Sequence, residues 1–332
     1  MQAWKKTFYE QFGVPEVGFA SCDILVPEPL QQVIATFGKQ DFTVGQAAEA
    51  AGCTMMEMTH LLDFGWHREI LDKAVAHSAE GAERPLPGRY IAGDYYRMLS
   101  GVAVYDRPLW KSVPETQRQQ ILQWNYREFI VRNLDAIRAG SRCEGAHTLE
   151  QALADFGALQ EDRHVFFVLP CDCKMLAGGC GLPTDVCLRV LTEKEASSVN
   201  SVVSRGHGTV LSKAAFLERI KKCSKDGLMH TYMPQQLSSM CNCCGDCCFE
   251  FNGHRVLQEM GYSDVEYPVR FNVAVYDASK CVGCGICARR CHFQAFTCEK
   301  RKVQFDASKC FGCGLCAETC PKGCITMRKI KE

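Results

Sequence analysis

Two stretches of this chain repeat each other. Residues 277–291 read DASKCVGCGICARRC and residues 306–320 read DASKCFGCGLCAETC, 29 residues apart and identical at 11 of 15 positions. Each supplies C-x2-C-x2-C-x3-C: Cys281, Cys284, Cys287 and Cys291, then Cys310, Cys313, Cys316 and Cys320. Three thiolates on one tight loop cap three irons of a cubane, and the fourth cysteine of such a run ligates the other cluster. The spacing therefore predicts one [4Fe–4S] centre on Cys281, Cys284, Cys287 and Cys320, and a second on Cys310, Cys313, Cys316 and Cys291. Gly283, Gly285, Gly312 and Gly314 let the backbone wrap closely and aim N–H groups at sulfur. Zinc prefers two separated C-x2-C knuckles, and disulfides need an oxidising compartment, so both rival readings fit the repeat poorly.

The remaining composition bounds the rest. With 332 residues, 47% of them hydrophobic, the chain can bury a core and divide into two or more domains. Its 38 basic and 38 acidic residues cancel, which removes global charge as a reason to expect nucleic acid or anionic membrane. The opening MQAWKKTFYEQFGV lacks the apolar stretch of a secretory signal, and the best apolar run, Val165–Leu169, is far shorter than a membrane span. Twenty-three cysteines fit a reducing interior with metal loading, so a cytoplasmic location is expected.

Cysteine distribution marks the main division: residues 1–162 hold three (Cys22, Cys53 and Cys143), residues 163–332 the other twenty. In the first part, Thr43–Leu62 resembles the helix-turn-helix of winged-helix domains. Ala47, Ala48 and Ala51 make a close-packing face, Gly52 permits the turn, and Thr54 with Glu57 forms a capping box. Met55, Met58, Leu61 and Leu62 are expected on the buried side. Residues 41–75 contain six acids against Arg68 and Lys73, a net of −4, which argues against DNA and for a packing or docking role. A long helix is predicted from about Pro114, with Ser112 and Glu115 as its capping box and Gly140 at its end. Trp110, Trp124 and Tyr126 read as core. No phosphate loop, complete G-x-G-x-x-G or nucleophile elbow is present in this part.

The middle holds a second concentration of sulfur. A buried strand at Arg163–Leu169 runs into PCDCKMLAGGCGLPTDVCL, with Cys171, Cys173, Cys180 and Cys187. A helix at Ser212–Lys225, stopped by Gly227, precedes CNCCGDCC, with Cys241, Cys243, Cys244, Cys247 and Cys248. Nine cysteines on two polar, glycine-containing loops exceed what packing needs. They predict at least one further iron–sulfur cluster with ligands from both loops, and two are open on the count; a zinc site is the alternative. Adjacent side chains diverge, so Cys243–Cys244 and Cys247–Cys248 cannot each place both sulfurs on one iron. His292, where the second copy has Pro321, can add a hydrogen bond to a sulfur. Cys298 and Cys324 read as small apolar fillers.

The C-terminal 60 residues resemble bacterial two-cluster ferredoxins. The longer pattern (winged-helix-like N-terminus, C-x-C…P-x3-C, a helix ending DGLMHT, CNCCGDCC and the ferredoxin pair) resembles a family of poorly characterised multi-cluster iron–sulfur proteins of anaerobes, over about residues 30–332. That resemblance implies electron transfer and anaerobic metabolism. The expected fold is α+β: a winged-helix-like domain at 1–85, a helical segment at 86–162, a cysteine-rich domain at 163–262 and a ferredoxin domain at 263–332. The expected function is low-potential electron transfer to or from a partner enzyme's flavin, corrinoid or metal, within a larger assembly or alone, without nucleic acid or a membrane span. Two alternatives stand: a reductase whose middle cluster binds substrate, and a redox-sensing regulator. Residues 270–332 carry twelve Lys/Arg against five Asp/Glu, a basic excess that suits an acidic partner.

Overall fold

The structure is a computed structural model that describes residues 2–77 and 83–331; positions 78–82 of the expected 1–85 segment lie outside the described residues. Helix and sheet are mixed, as expected of an α+β chain. Two compact units separate. The first comprises Met1–Asn125, Met175–Gly178 and Glu193–Gly208, the second Tyr126–Lys174, Gly179–Thr192 and Thr209–Glu332.

In the first unit a helix at Glu28–Phe37 leads into strand β1 (Phe42–Thr43), helices Val44–Ala51 and Met55–His67, and strands β2 (Leu71–His77) and β3 (Glu83–Ala92). The strands order as β1–β3–β2, antiparallel. Both short helices start in capping boxes. Thr54 N–H donates to Glu57 Oε2 (2.9 Å) and Glu57 N–H to Thr54 Oγ1 (3.2 Å). Thr43 and Gln46 form the same device one helix earlier. Gly52 makes the turn between them at φ 63°, a left-handed backbone that costs glycine nothing. Leu30, Val33, Ile34, Ala47, Met58 and Leu62 are buried, but Met55 is 55% exposed and does not join that face. It occupies the first turn of its helix.

The acidic surplus of residues 41–75 is neutralised from outside that window. Arg89 pairs with Asp41, Arg97 with Asp72 (2.8 Å) and Glu69 (3.7 Å), and the fully buried Arg205 side chain with Asp72. The exposed face of Met55–His67 carries Met55, Met56, Glu57, Thr59, His60 and Asp63, with no Lys or Arg to neutralise a phosphate.

The division between units falls within the helix Glu115–Arg138, after which Gly140 takes φ 70°. Ahead of that helix, the Ser112 hydroxyl donates to Leu109 O (2.7 Å), serving the end of the preceding helix.

The second unit is built on a seven-stranded sheet: β4 (Gly145–His147), β5 (His164–Pro170), β6 (Asp185–Thr192), β7 (Thr209–Leu211), β8 (Met229–Met233), β9 (Gln236–Cys243) and β10 (Val269–Arg270), in the order β10–β4–β8–β9–β6–β5–β7. All neighbours are antiparallel except β10 and β4. Helices Leu149–Gly157 and Lys213–Lys225 supply Phe156, Phe216 and Ile220 to a core with Phe166, Val168, Leu188, Val190 and Met240. Phe167 and Leu169 are equally buried, so β5 reads as an unbroken apolar run because both its faces are covered.

The unit ends in a small two-fold arrangement: β11 (Asn272–Tyr276), helix Ile286–Arg290, β12 (Phe296–Glu299), β13 (Lys302–Phe305), helix Leu315–Glu318 and β14 (Ile325–Lys329). β11 pairs with β14 and β12 with β13, both antiparallel. Lys300 and Arg301 form the two-residue β12–β13 turn at φ 47° and 65°, the backbone that a tight hairpin demands.

Candidate metal centres

The doubled motif closes around two cavities. The first is lined by Cys281, Cys284, Cys287 and Cys320, with about 340 Å³ of empty volume; the second by Cys291, Cys310, Cys313 and Cys316, with about 360 Å³. In each, the fourth cysteine of one copy faces the first three of the other. Two features produce this. Asp277 and Asp306 each accept from the N–H two residues on (Ser279 and Ser308, 3.0 Å), opening the motif on a fixed turn. Gly283 and Gly312 then press on backbone, where an added Cβ would lie 2.1 Å from Arg301 O and from Asn272 O respectively.

The donor set suits a cubane that supplies positive charge. Gly283 N–H donates to Cys281 Sγ (3.4 Å) and Ala295 N–H to Cys291 Sγ (3.2 Å), bonds that favour thiolate over thiol. A hydrogen bond from Tyr276 pulls the Cys281 thiol below its usual range, followed by the Gly283 N–H. In the second cavity burial pushes Cys313 up to about 12 and raises Cys316, each also repelled by its sulfur neighbours. Two neighbouring thiols that resist deprotonation are a pair that an iron core relieves. Cys324 is buried with its Sγ 3.1 Å from Cys320 Sγ, beside the first cavity, and Cys298 lies under Gly285.

Four of the nine middle cysteines, Cys173, Cys187, Cys241 and Cys243, sit on regular elements, and the other five on the loops expected from sequence. Strand register brings two of the nine together. Leu169 of β5 pairs with Cys187 of β6, and Leu188 of β6 with Met240 of β9, so Cys187 and Cys241 lie side by side on neighbouring strands, and Cys171 follows just past the end of β5. Cys171 N–H donates to Thr184 O (2.7 Å), closing the loop between β5 and β6. Cys241 and Cys243 are two residues apart on β9 and so share one face. Asn242 points the other way, its Oδ1 accepting from His230 Nδ1 (2.7 Å) and its Nδ2 donating to Val186 O (2.7 Å).

The nine sulfurs form two sets. Cys243 and Cys248 are 3.0 Å apart, with Glu250 Oε2 3.2 Å from Cys248 Sγ; all three are buried. Cys173 is held protonated by its hydrogen bond to Cys171 and by burial, and Cys243 by its bonds to Cys241 and Cys248. Burial also raises Cys187, against the pull of the Arg189 guanidinium. This connects Cys171, Cys173, Cys187, Cys241, Cys243 and Cys248. On the other side of the 244–247 turn, Cys180, Cys244 and Cys247 come together, with Lys174 Nζ 3.3 Å from Cys180 Sγ. A hydrogen bond from Cys247 brings Cys244 down to about 4, helped by the Cys247 N–H and Lys174.

The second cavity packs against the six-sulfur set. Cys243, Cys248, Phe251 and Leu315 share a buried cluster with Cys241, Phe293, Phe311 and Cys313. Phe251, Phe293 and Phe311 form a triangle with ring centroids 4.4 to 5.2 Å apart. His292 belongs to this contact: its Nε2 meets Gly227 O (2.7 Å), not a sulfur, and its Cβ would lie 2.9 Å from a Cβ at position 245. Arg290 donates to Ser224 O (2.7 Å) and Lys225 O (3.0 Å). The first cavity stands outward, with Cys284 and Val282 exposed. Its rim is basic: Arg289 donates to Cys284 O (3.4 Å) and Arg301 to Val282 O (3.1 Å), and Lys300 and Lys302 are exposed beside them.

Residues 274–327 match the family model of a 4Fe-4S dicluster domain. No curated protein and no solved structure matches the chain. Among the described residues, no helix is long and apolar enough to cross a membrane.

Proposed function

We propose that this chain is a low-potential electron carrier of anaerobic metabolism, working in a reducing cytoplasm for a partner enzyme with a flavin, corrinoid or metal centre. A 4Fe-4S dicluster domain supports iron–sulfur electron transfer in general. The observation that carries the finer reading is the pair of four-cysteine cavities, each completed by a cysteine of the other copy. On this reading Cys281, Cys284, Cys287 and Cys320 hold one [4Fe–4S] centre, and Cys310, Cys313, Cys316 and Cys291 a second. Four of the six sulfurs of the Cys171, Cys173, Cys187, Cys241, Cys243 and Cys248 set hold a third. When bound, each cubane takes up and returns a single electron.

The protein's own residues do the rest. Backbone N–H groups and Tyr276 at the sulfurs spread thiolate charge and raise the ease of reduction. Phe251, Phe293 and Phe311 exclude water between the second cavity and the middle set. The outward first cavity, ringed by Arg289, Lys300, Arg301 and Lys302, is the docking end for an acidic redox partner. The helix–strand–helix–helix–hairpin order of the first unit supports the winged-helix-like reading, and the uncharged-to-acidic face of Met55–His67 favours packing or docking over DNA.

The test is anaerobic purification with iron analysis and electron paramagnetic resonance on reduction. About 12 irons per chain are expected, four for each of three cubanes. An iron count near eight removes the third centre. Cys291→Ser should alter the spectrum of the centre on Cys310, Cys313 and Cys316; a change confined to the Cys281 centre refutes crossed ligation. Steady turnover of a small organic substrate by the isolated chain would replace the carrier with the reductase reading.

A further inference from the structure

The 241–248 segment deals its cysteines to two sides. Cys243 and Cys248 go to Glu250, while Cys244 and Cys247 meet Cys180, which arrives from the loop after the helix Asp172–Ala177. The larger set has six sulfurs, more than one ion takes. The smaller has three, fewer than a cubane usually claims.

We propose that Cys180, Cys244 and Cys247 form a separate mononuclear site for one Zn²⁺, with Lys174 as charge partner and the fourth coordination position open to water or a small thiol. This is independent of the electron-carrier reading. Size argues for it first. The three sulfurs all lie within 4.8 Å of one another. Tetrahedral zinc with bonds of about 2.3 Å holds its sulfurs about 3.8 Å apart. A cubane spreads its thiolates over separate iron corners. Among the described residues the two C-terminal quartets form no such tight triad, and the other two tight groups, Cys171–Asp172–Cys173 and Cys243–Cys248–Glu250, each include a carboxylate, so this triad alone is made of sulfur.

Local geometry argues for it second. Cys244-Gly245-Asp246-Cys247 is a C-x2-C knuckle in which Cys247 N–H donates to Cys244 Sγ (3.3 Å). That turn fixes two ligands at the spacing that zinc knuckles use. Charge argues third. Three thiolates and Zn²⁺ sum to −1, and the Lys174 ammonium, only 3% exposed and 3.3 Å from Cys180 Sγ, cancels it. A buried ammonium whose near neighbours are sulfurs is what such an anionic centre needs. Three protein ligands also leave the position that exchangeable zinc sites keep open.

The full chain, purified anaerobically, should carry about one zinc per chain beside its iron. Zinc-edge X-ray absorption should show three sulfurs at about 2.3 Å and one oxygen or nitrogen, the light atom giving way to a fourth sulfur when a small thiol is added. Cys180→Ser and Cys244→Ser should each lose the zinc and keep the iron. Lys174→Met, which removes no ligand, should weaken zinc about 10-fold against a chelator with iron unchanged. Absence of zinc with about 16 irons would make the triad a fourth cluster and overturn the proposal. Zinc retained in Cys180→Ser, or bound through four protein sulfurs, would overturn it too. Eight irons with one zinc would remove the third cubane and leave this site standing, so the two readings fail separately.

Discussion

The C-terminal segment and the middle sheet both gather thiols, yet they do so by opposite means. In the C-terminal segment the cysteines come from two copies of one short loop, and the turn chemistry of Asp277, Asp306, Gly283 and Gly312 recurs at the same positions in each. In the middle, Cys187 and Cys241 are neighbours only because β6 and β9 pair in one register, and Cys171 follows from the end of β5. The first is a local solution that carries its own geometry. The second borrows geometry from a sheet whose core is Phe166, Val168, Leu188, Val190, Phe216 and Met240. A loop-built site should fail one centre at a time, and a sheet-built site should follow the stability of the sheet.

The strongest way to break this contrast is to remove a middle cysteine. Cys243→Ser should cost about four of twelve irons and leave the signals of the C-terminal pair intact. Loss of all iron would mean that the two regions stand or fall together. The next test separates backbone strain from close approach. Gly312 and Gly178 share φ 75°, but a Cβ at 312 would strike Asn272 O at 2.1 Å while one at 178 meets nothing within 4 Å. Gly178→Ala should cost about 1 kcal/mol and Gly312→Ala about 3–4 kcal/mol, read by denaturant unfolding under anaerobic conditions. Equal costs would show that left-handed backbone alone sets the effect.

Acid should act on the sheet. Burial brings His147 and His230 down to about 4, below the ordinary 6.5. Between those values the unfolded chain binds protons that the folded chain refuses, so stability is lost as pH falls from 6.5 to 4. His147 alone accounts for about 2–3 kcal/mol of that loss. His147→Phe, which keeps the stack on Tyr232 (3.9 Å) and Phe271 (4.7 Å), should flatten the slope; an unchanged slope would assign it elsewhere. The smallest effect belongs to the outward rim. Neutralising Arg289, Lys300, Arg301 and Lys302 should slow reduction of an acidic partner about three-fold at low salt and shrink to nothing at high salt, with iron unchanged. Arg290 is left out because it holds Ser224 O and Lys225 O.

What could be read from sequence follows the same line between local and non-local. The Thr54–Glu57 cap, the β5 run and the helix before Gly227 are all set within a few residues, and each appears where expected. The divergence of neighbouring cysteines in CNCCGDCC is likewise a local fact, and it separates Cys243 from Cys244 and Cys247 from Cys248. Missed were the features that need a partner strand or a distant charge. CNC looked like loop because its glycine-rich sequel dominates, although alternation across Asn242 is a strand signal. Arg89, Arg97 and Arg205 fell outside the acidic window that they neutralise. His292 found a carbonyl 65 residues away, which no motif announces.

The contacts of Gly283 and Gly312 are related by the repeat itself. Gly283 of the first copy presses on Arg301, and Gly312 of the second on Asn272; both positions shift by the same 29 residues. Each copy is thus seated on the threshold of the other, and β11 closes the ring by pairing with β14 at the far end. A single copy, cut out, would have neither its seat nor its fourth thiol. The doubling is an interlock, in which neither copy supplies all four cysteines of a cavity.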